Sequence, residues 1–284
     1  MTSLVQKKFG DAAADYATST VHSKGESLDR LIALVGPQPN WRVLDVATGA
    51  GHMALALAPH VAKVTATDVT DAMLAETRKL AHARGLRNVR TGNAKAEDLP
   101  FPDMSFDLVT CRLAAHHFRN VSAFAAEAFR VLMPGGRLGL VDNISPEEDG
   151  VSAAYNSFEK LRDPSHRRCL SLNAWRAILA KAGFTVEHAE TLDQDIEFAP
   201  WSARMRCPHR PKRGCGTYWR TSRSARSCVP AMARPDSSSR CKRRSSSPGR
   251  RSKDSDLLTS RQARACLPNC HKSVTPIDRG SDRL

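Results

Sequence analysis

Arg42-Val-Leu-Asp-Val-Ala-Thr-Gly-Ala-Gly51, answered downstream by Asp68 in Lys63-Val-Thr-Ala-Thr-Asp68, is the stretch that decides the fold of this chain. Arg42 to Ala47 is rich in β-branched and aliphatic residues and reads as a short buried strand. A tight glycine-bearing turn follows, and a helix pattern runs from His52 to Ala58. Gly49 and Gly51 lack a Cβ and let backbone approach a ligand closely. The first amides of the next helix offer donors and a positive dipole end. Lys63 to Asp68 reads as a second strand ending in an acid. In doubly wound sheets that acid lies beside the first loop and accepts hydrogen bonds from ribose hydroxyls.

The pair predicts a site for a nucleoside-containing cofactor. Residues 45 to 51 read D-x-A-x-G-x-G. They match neither the dinucleotide pattern G-x-G-x-x-G nor the phosphate cradle G-x-x-x-x-G-K-[ST]. An acid at Asp45 suits a cofactor with a cationic end rather than a pyrophosphate. S-adenosylmethionine carries both a ribose and such an end.

Working outward, Leu28, Leu31, Ile32 and Val35 lie on one face of a helix that Gly36-Pro37 stops. Asp71 to Gly85 forms a helix with Met73, Leu74, Thr77, Leu80 and Ala81 inward. Strands are expected from Asn88, over Phe106–Cys111, over Arg137–Asp142 and within Phe184–Phe198. Helices are expected over Ser122–Leu132, stopped by Pro134-Gly135-Gly136, and over Asn173–Ala182. This alternation predicts a parallel, doubly wound α/β sheet with ligands at the carboxyl ends of its strands.

The 284 residues carry a net charge of +14, but unevenly. Residues 1–205 are near neutral at −1, and residues 206–284 carry +15. The last 79 residues hold 16 Arg, 14 Ser and six of the eight cysteines, with no Glu, no Phe and no apolar period. Such a composition buries too little apolar area to offset chain entropy. Three readings stay open for it: a basic arm for nucleic acid or an acidic surface, a zinc module, or a stretch translated out of frame. The zinc reading is weakened because Cys207, Cys215, Cys228 and Cys241 lack C-x2-C pairing. Nucleic acid enters as a partner only through this tail. With no signal-peptide pattern and no run of 18 apolar residues, the chain is expected to be cytoplasmic and without a membrane span. Nothing in the sequence sets an oligomeric state.

Residues of about 5–205 resemble the class I S-adenosylmethionine-dependent methyltransferases of the ubiquinone/menaquinone C-methyltransferase type. The matching pieces are Val43 to His52, Asp68, Ala96-Glu-Asp-Leu-Pro-Phe-Pro102 with Ser105-Phe-Asp107, Cys111-Arg-Leu-Ala-Ala-His-His-Phe118, and Arg130-Val-Leu-Met-Pro-Gly-Gly136. The resemblance implies a Rossmann-like sheet of seven strands, the last antiparallel. It implies that the glycine loop lies along the methionine part of the cofactor, and that Asp68 takes the ribose hydroxyls. Val69 and Met73 would flank the adenine, and Ala96-Glu97 would close over its edge. Tyr16 and His22, with Phe9 and Gly25, fit the family's lid helix over the cofactor. Arg162-Asp-Pro-Ser-His166 resembles a cap loop that lines the acceptor pocket, which singles out Arg162 and His166; its Asp-Pro equally marks a turn.

The sequence departs from the family at three places. Ala47 stands where the first glycine is usual, and Lys95 stands where a short polar side chain is expected near the adenine. Nothing after residue 205 reads as the final strand, so that strand is expected to be missing and the tail irregular. The expected organisation is a helical lid over 1–40, a cofactor-binding domain over 41–145, a cap and domain end over 146–205, and the basic tail.

Methyl transfer from a sulfonium is an in-line displacement in which alignment supplies much of the rate. A base is needed where the acceptor loses a proton. His116 and His117 follow the fourth strand, where an acceptor would meet the methyl group; they are candidates for base or acceptor-orienting donor, against loop histidines packed under a lid. Arg112 is a candidate cofactor contact or a surface arginine. Asp142 ends the fifth strand as a substrate-side acid or a helix cap. Cys111 lies in an apolar strand and reads as core, not nucleophile. No Asp- or Asn-Pro-Pro-aromatic motif follows strand four, which argues against base-amine acceptors and for a small molecule. No cluster has metal-ligand spacing.

Overall fold

The computed structural model describes residues 3–18, 26–193 and 227–235, with backbone alone at 12, 14–18, 193 and 227–235. In chain order the helices are α1 (Leu4–Thr18), α2 (Glu26–Val35), α3 (His52–Leu57), α4 (Asp71–Ala83), α5 (Val121–Val131), α6 (Asp149–Arg162) and α7 (Leu172–Ala182). The strands are β1 (Arg42–Val46), β2 (Lys63–Asp68), β3 (Val89–Asn93), β4 (Phe106–Arg112), β5 (Leu132–Asn143), β6 (Phe184–Ala189), β7 (Leu192–Asp193) and β8 (Ser227–Pro235).

The sheet runs β3-β2-β1-β4-β5-β8-β6, with β7 beside β8. β3, β2, β1, β4 and β5 are parallel. Alternation along these strands explains why helices cover both faces. Leu44, Val46, Val109 and Cys111 point into one core with Phe124 of α5 and Trp175 and Leu179 of α7. Val43, Val64, Ala66 and Leu108 point into the other, with Leu28, Leu31 and Val35 of α2 and Met53 of α3. Cys111 is fully buried, as its apolar strand implied, and burial pushes its thiol well up. Asn120 and Ser171 cap α5 and α7 by accepting from Ala123 N and Ala174 N. Gly183, at φ 99°, closes α7 in the left-handed region.

Two expectations need correction. The final antiparallel strand is present: Ser227–Pro235 pairs antiparallel with β5 on one side and with β6 on the other. The tail therefore contributes a strand to the sheet; its other residues lie outside those described, as do 194–198 of the expected sixth strand. Second, Pro134-Gly135-Gly136 does not separate α5 from β5. The strand starts at Leu132, and a register shift between Phe106 and Leu108 absorbs the extra residues. One helix, α6, was not anticipated at all, although Val151, Tyr155 and Phe158 are spaced for it. Among the described residues no helix is long and apolar enough to cross a membrane.

Candidate active site

The strand order reverses between β1 and β4, the place where a doubly wound sheet opens a crevice at its carboxyl ends. A cavity of about 1030 Å3 lies there. It is wide enough for a nucleoside cofactor and a small acceptor together. α1 covers part of it with Gln6 and Phe9, and Gln6 Nε2 donates to Val69 O at 2.8 Å.

One end of the cavity is made by the loop after β1. Asp45 is 1% exposed and accepts from Thr48 Oγ1 at 2.5 Å and from Thr110 Oγ1 at 2.7 Å. Burial nevertheless pushes its carboxyl up to about 6. Asp68 accepts from the amides of Gly49 (2.9 Å) and Thr70 (2.8 Å), and burial raises it as well. Ala47 holds a φ of 53°, a left-handed conformation that a glycine would adopt without strain. Gly49, at φ 55°, has open space where a Cβ would stand, so the backbone is bare toward the cavity. Gly51 differs from expectation. It does not line the cavity; a Cβ there would lie 2.6 Å from Thr77 Cγ2, so this glycine serves helix packing. Val69, Met73, Lys95, Ala96 and Glu97 all line the same end. Glu97 Oε1 also accepts from the amide of Arg119 at 2.8 Å.

The other end is made of side chains. His116 sits in a short turn after β4, and its Nδ1 lies 2.5 Å from Asp142 Oδ1. β4 and β5 are parallel neighbours with Arg112 opposite Val141, which brings the two residues together. Burial pulls the His116 imidazole down, but the charge and hydrogen bond of Asp142 outweigh it and the net shift is upward. A carboxylate only accepts, so Nδ1 carries a proton. His117 is held lower by burial and by the neighbouring His116. Its Nδ1 lies 3.2 Å from Ser165 O, its ring meets Phe9 edge-on at 5.1 Å, and Asp163 Oδ2 is 3.8 Å from its Nε2. Ser165 Oγ donates to Asp163 Oδ1.

Of the remaining expected residues, Arg112 lines the cavity and donates to Ser27 Oγ at 3.1 Å. Arg162 lines it and pairs with Glu159 at 3.0 Å. Asp142 stands behind His116 rather than on the wall. His166 is likewise off the wall: its Nε2 meets Asn156 Oδ1 at 2.9 Å, and burial drives it down to about 3. His22 and the side chain of Tyr16 lie outside the described residues. Lys160 and Arg167 escaped the sequence reading although both line the cavity; Asp163 and Ser165 also line it and lie inside the 162–166 stretch already read as a cap loop, without having been singled out. The signal that could have found them was the helical spacing of α6, which delivers the loop. Among the described residues no group of three or more His, Cys, Asp or Glu is placed to hold a metal ion.

A family model described as a methyltransferase domain matches residues 44–140. The uncharacterised methyltransferase YcgJ of Bacillus subtilis is 38% identical over 200 residues, spanning 70% of this chain and 79% of that protein. The demethylmenaquinone methyltransferase of Thermus thermophilus is 34% identical over 167 residues, 52% of this chain and 76% of the relative. The crystal structure of the YcgJ protein superimposes with a TM-score of 0.67 at 32% identity, covering 73% of this chain and 96% of the other. The cavity suits the donor these likenesses imply, since Gly49 leaves open space and two acids stand beside it. The chain belongs to the class I S-adenosylmethionine-dependent methyltransferases of the UbiE-like type, an enzyme whose methyl donor is S-adenosylmethionine.

Proposed function

We propose that the acceptor is a small, ring-hydroxylated aromatic molecule of the quinol kind, and that His116 takes its hydroxyl proton. The observation that carries this reading is the buried His116–Asp142 pair at 2.5 Å, with His116 on the cavity wall. Asp142 fixes the ring with Nδ1–H toward the carboxylate and leaves Nε2 as the atom that receives a proton. Phe9, His117 and Phe118 give the acceptor end a ring-lined wall suited to a planar molecule. The name of the Thermus thermophilus relative points the same way.

In this reading Asp68 accepts the ribose hydroxyls, and Val69 and Met73 flank the adenine. Ala96 and Glu97 close its edge. Asp45, through its charge, favours the cationic amino-acid end. Bound S-adenosylmethionine supplies a methyl group already activated on a sulfonium. His116 removes the hydroxyl proton, which enriches the ring. The ring's electron pair would then form the new bond to the methyl carbon as the carbon–sulfur bond breaks, leaving S-adenosylhomocysteine, and the methylated ring carbon would lose its hydrogen as a proton while the oxygen regains one, restoring the aromatic quinol. His117, kept neutral, adds no competing positive charge beside the sulfonium.

The test is release of S-adenosylhomocysteine by the full-length chain with reduced naphthoquinones and simple dihydroxybenzenes. Turnover is expected, with a rate that climbs with pH as His116 loses its proton. Cofactor binding without turnover of any ring-hydroxylated acceptor would overturn the reading.

A further inference from the structure

The two ends of the cavity differ in sign. Asp45, Asp68 and Glu97 stand at the end formed after β1, β2 and β3 and outnumber Lys95 and Arg119, which line it with them. The opposite wall is the segment that ends α6 and follows it, and it brings Lys160, Arg162, Asp163 and Arg167 to the cavity. Backbone bonds clip this segment to the catalytic turn: the amides of Arg167 and Arg168 donate to His116 O at 2.9 and 3.1 Å. The wall is thus held in place beside His116.

Partners already neutralise part of this wall. Arg162 is paired with Glu159 at 3.0 Å. Asp163 accepts from the Ser165 amide at 2.8 Å and lies 3.8 Å from the neutral His117, so it keeps a negative charge on this wall. Lys160 Nζ donates to His166 O at 2.7 Å, a neutral carbonyl that leaves the ammonium charge uncompensated. Arg167 is exposed at the rim, and among the described residues it forms no ion pair. Lys160 and Arg167 are therefore the wall's cations without an ion-pair partner among the described residues, and with Asp163 counted the wall keeps one net positive charge at the mouth of the cavity.

We infer that the acceptor carries a carboxylate on its ring, recognised by Lys160 and Arg167; this rests on the ring-hydroxylated reading above. An arginine fork meets a carboxylate in two parallel bonds, and a lysine adds a point charge. The acid-lined end receives the cationic cofactor, and the base-lined end receives the anionic acceptor. The opposite charges hold the two reactants in one orientation. Their attraction is greatest before transfer, because the reaction discharges the sulfonium.

The test uses the full-length chain with saturating S-adenosylmethionine and follows S-adenosylhomocysteine. Three acceptors are compared: 3,4-dihydroxybenzoate, catechol, and an aliphatic hydroxy acid such as lactate. The expected result is a KM for 3,4-dihydroxybenzoate about 10-fold below that of catechol at low salt. In Lys160→Gln/Arg167→Gln the ratio of the two KM values falls to about 1, with cofactor affinity unchanged. Equal use of the two aromatic acceptors overturns the carboxylate inference and leaves the aromatic reading standing, as does an advantage that survives the double substitution. Turnover of lactate alone overturns the aromatic reading and keeps the charge assignment. Cofactor binding with no turnover in any arm overturns both.

Discussion

The two ends of the cavity are built from different materials. At the end proposed for the cofactor, main-chain geometry does most of the work: a left-handed Ala47, a bare Gly49 and amides aimed at Asp68, all contributed within a short span of sequence. At the end proposed for the acceptor, side chains from β4, β5 and the segment after α6 meet across long sequence separations. A backbone-built site accepts one ligand shape and tolerates change at many side chains. A side-chain-built site can be re-specified residue by residue while the methyl chemistry stays the same.

Substitutions test that contrast. The largest effect belongs to His116→Gln, which is expected to lower kcat about 100-fold or more while cofactor affinity holds. Asp142→Asn should act on the same group differently. Without the carboxylate charge, the His116 pKa falls, so the rising limb of the pH–rate profile moves to lower pH. A limb that stays in place would show that another group titrates. The folded-state linkage has a definite sign too. His116 is raised in the folded chain, so its contribution to stability is complete below the unfolded histidine value and is lost as pH climbs through the folded one. Urea unfolding at a series of pH values reads this directly, and Asp142→Asn should flatten it.

Next in size is Asp68→Ala at the other end. Loss of a carboxylate that accepts from two loop amides should weaken S-adenosylmethionine about 100-fold in calorimetric titration. An unchanged Kd would break the assignment of this end to the cofactor.

Asp45 gives a smaller, pH-dependent signal. Its carboxyl, raised to about 6, is half protonated near that pH, and a cation brought beside it drives the proton off. Cofactor titrations in buffers of differing ionisation heat should show release of about half a proton at pH 6 and almost none at pH 8. The smallest effect is expected from Ala47→Gly, which relieves a left-handed alanine and should raise stability by about 1 kcal/mol with activity retained. A loss of stability there would mean that the alanine methyl makes contacts worth more than the strain.

The same contrast explains what the sequence disclosed. β1, β2, the glycine loop and Asp68 are local, periodic and close together, so their reading needed no tertiary information. β1 ends one residue earlier than expected and β2 matches. His116 and Asp142 were singled out because each follows or closes an apolar strand, yet their direct bond depends on the register between β4 and β5, which only the folded sheet supplies. Gly51 was given to the ligand because a glycine's reason is invisible without its neighbour, here Thr77. The loop over 162–166 was legible through its resemblance, but Lys160 and Arg167 on either side of it were not, because the helix that delivers them was unread. β8 was missed because Ser227-Cys-Val-Pro-Ala-Met-Ala-Arg-Pro235 has proline in it, and proline lacks the amide that an internal strand uses on its neighbours. Pro230 nonetheless stands opposite Val141 in the ladder.

The loop after β1 is tied at several points by the chain's own groups. Thr48 N donates to Thr67 O at 2.8 Å, Gly49 N to Asp68, Gly51 N to Thr48 O at 3.0 Å, and Thr77 Oγ1 to Gly49 O at 3.0 Å. The conformational entropy of shaping this loop is therefore lost when the chain folds, not when the donor arrives. The cradle behaves as a mould cast in advance. Damage to a tie made away from Asp68, such as Thr77→Val, should be seen first as a lower melting temperature, and only later as weaker binding.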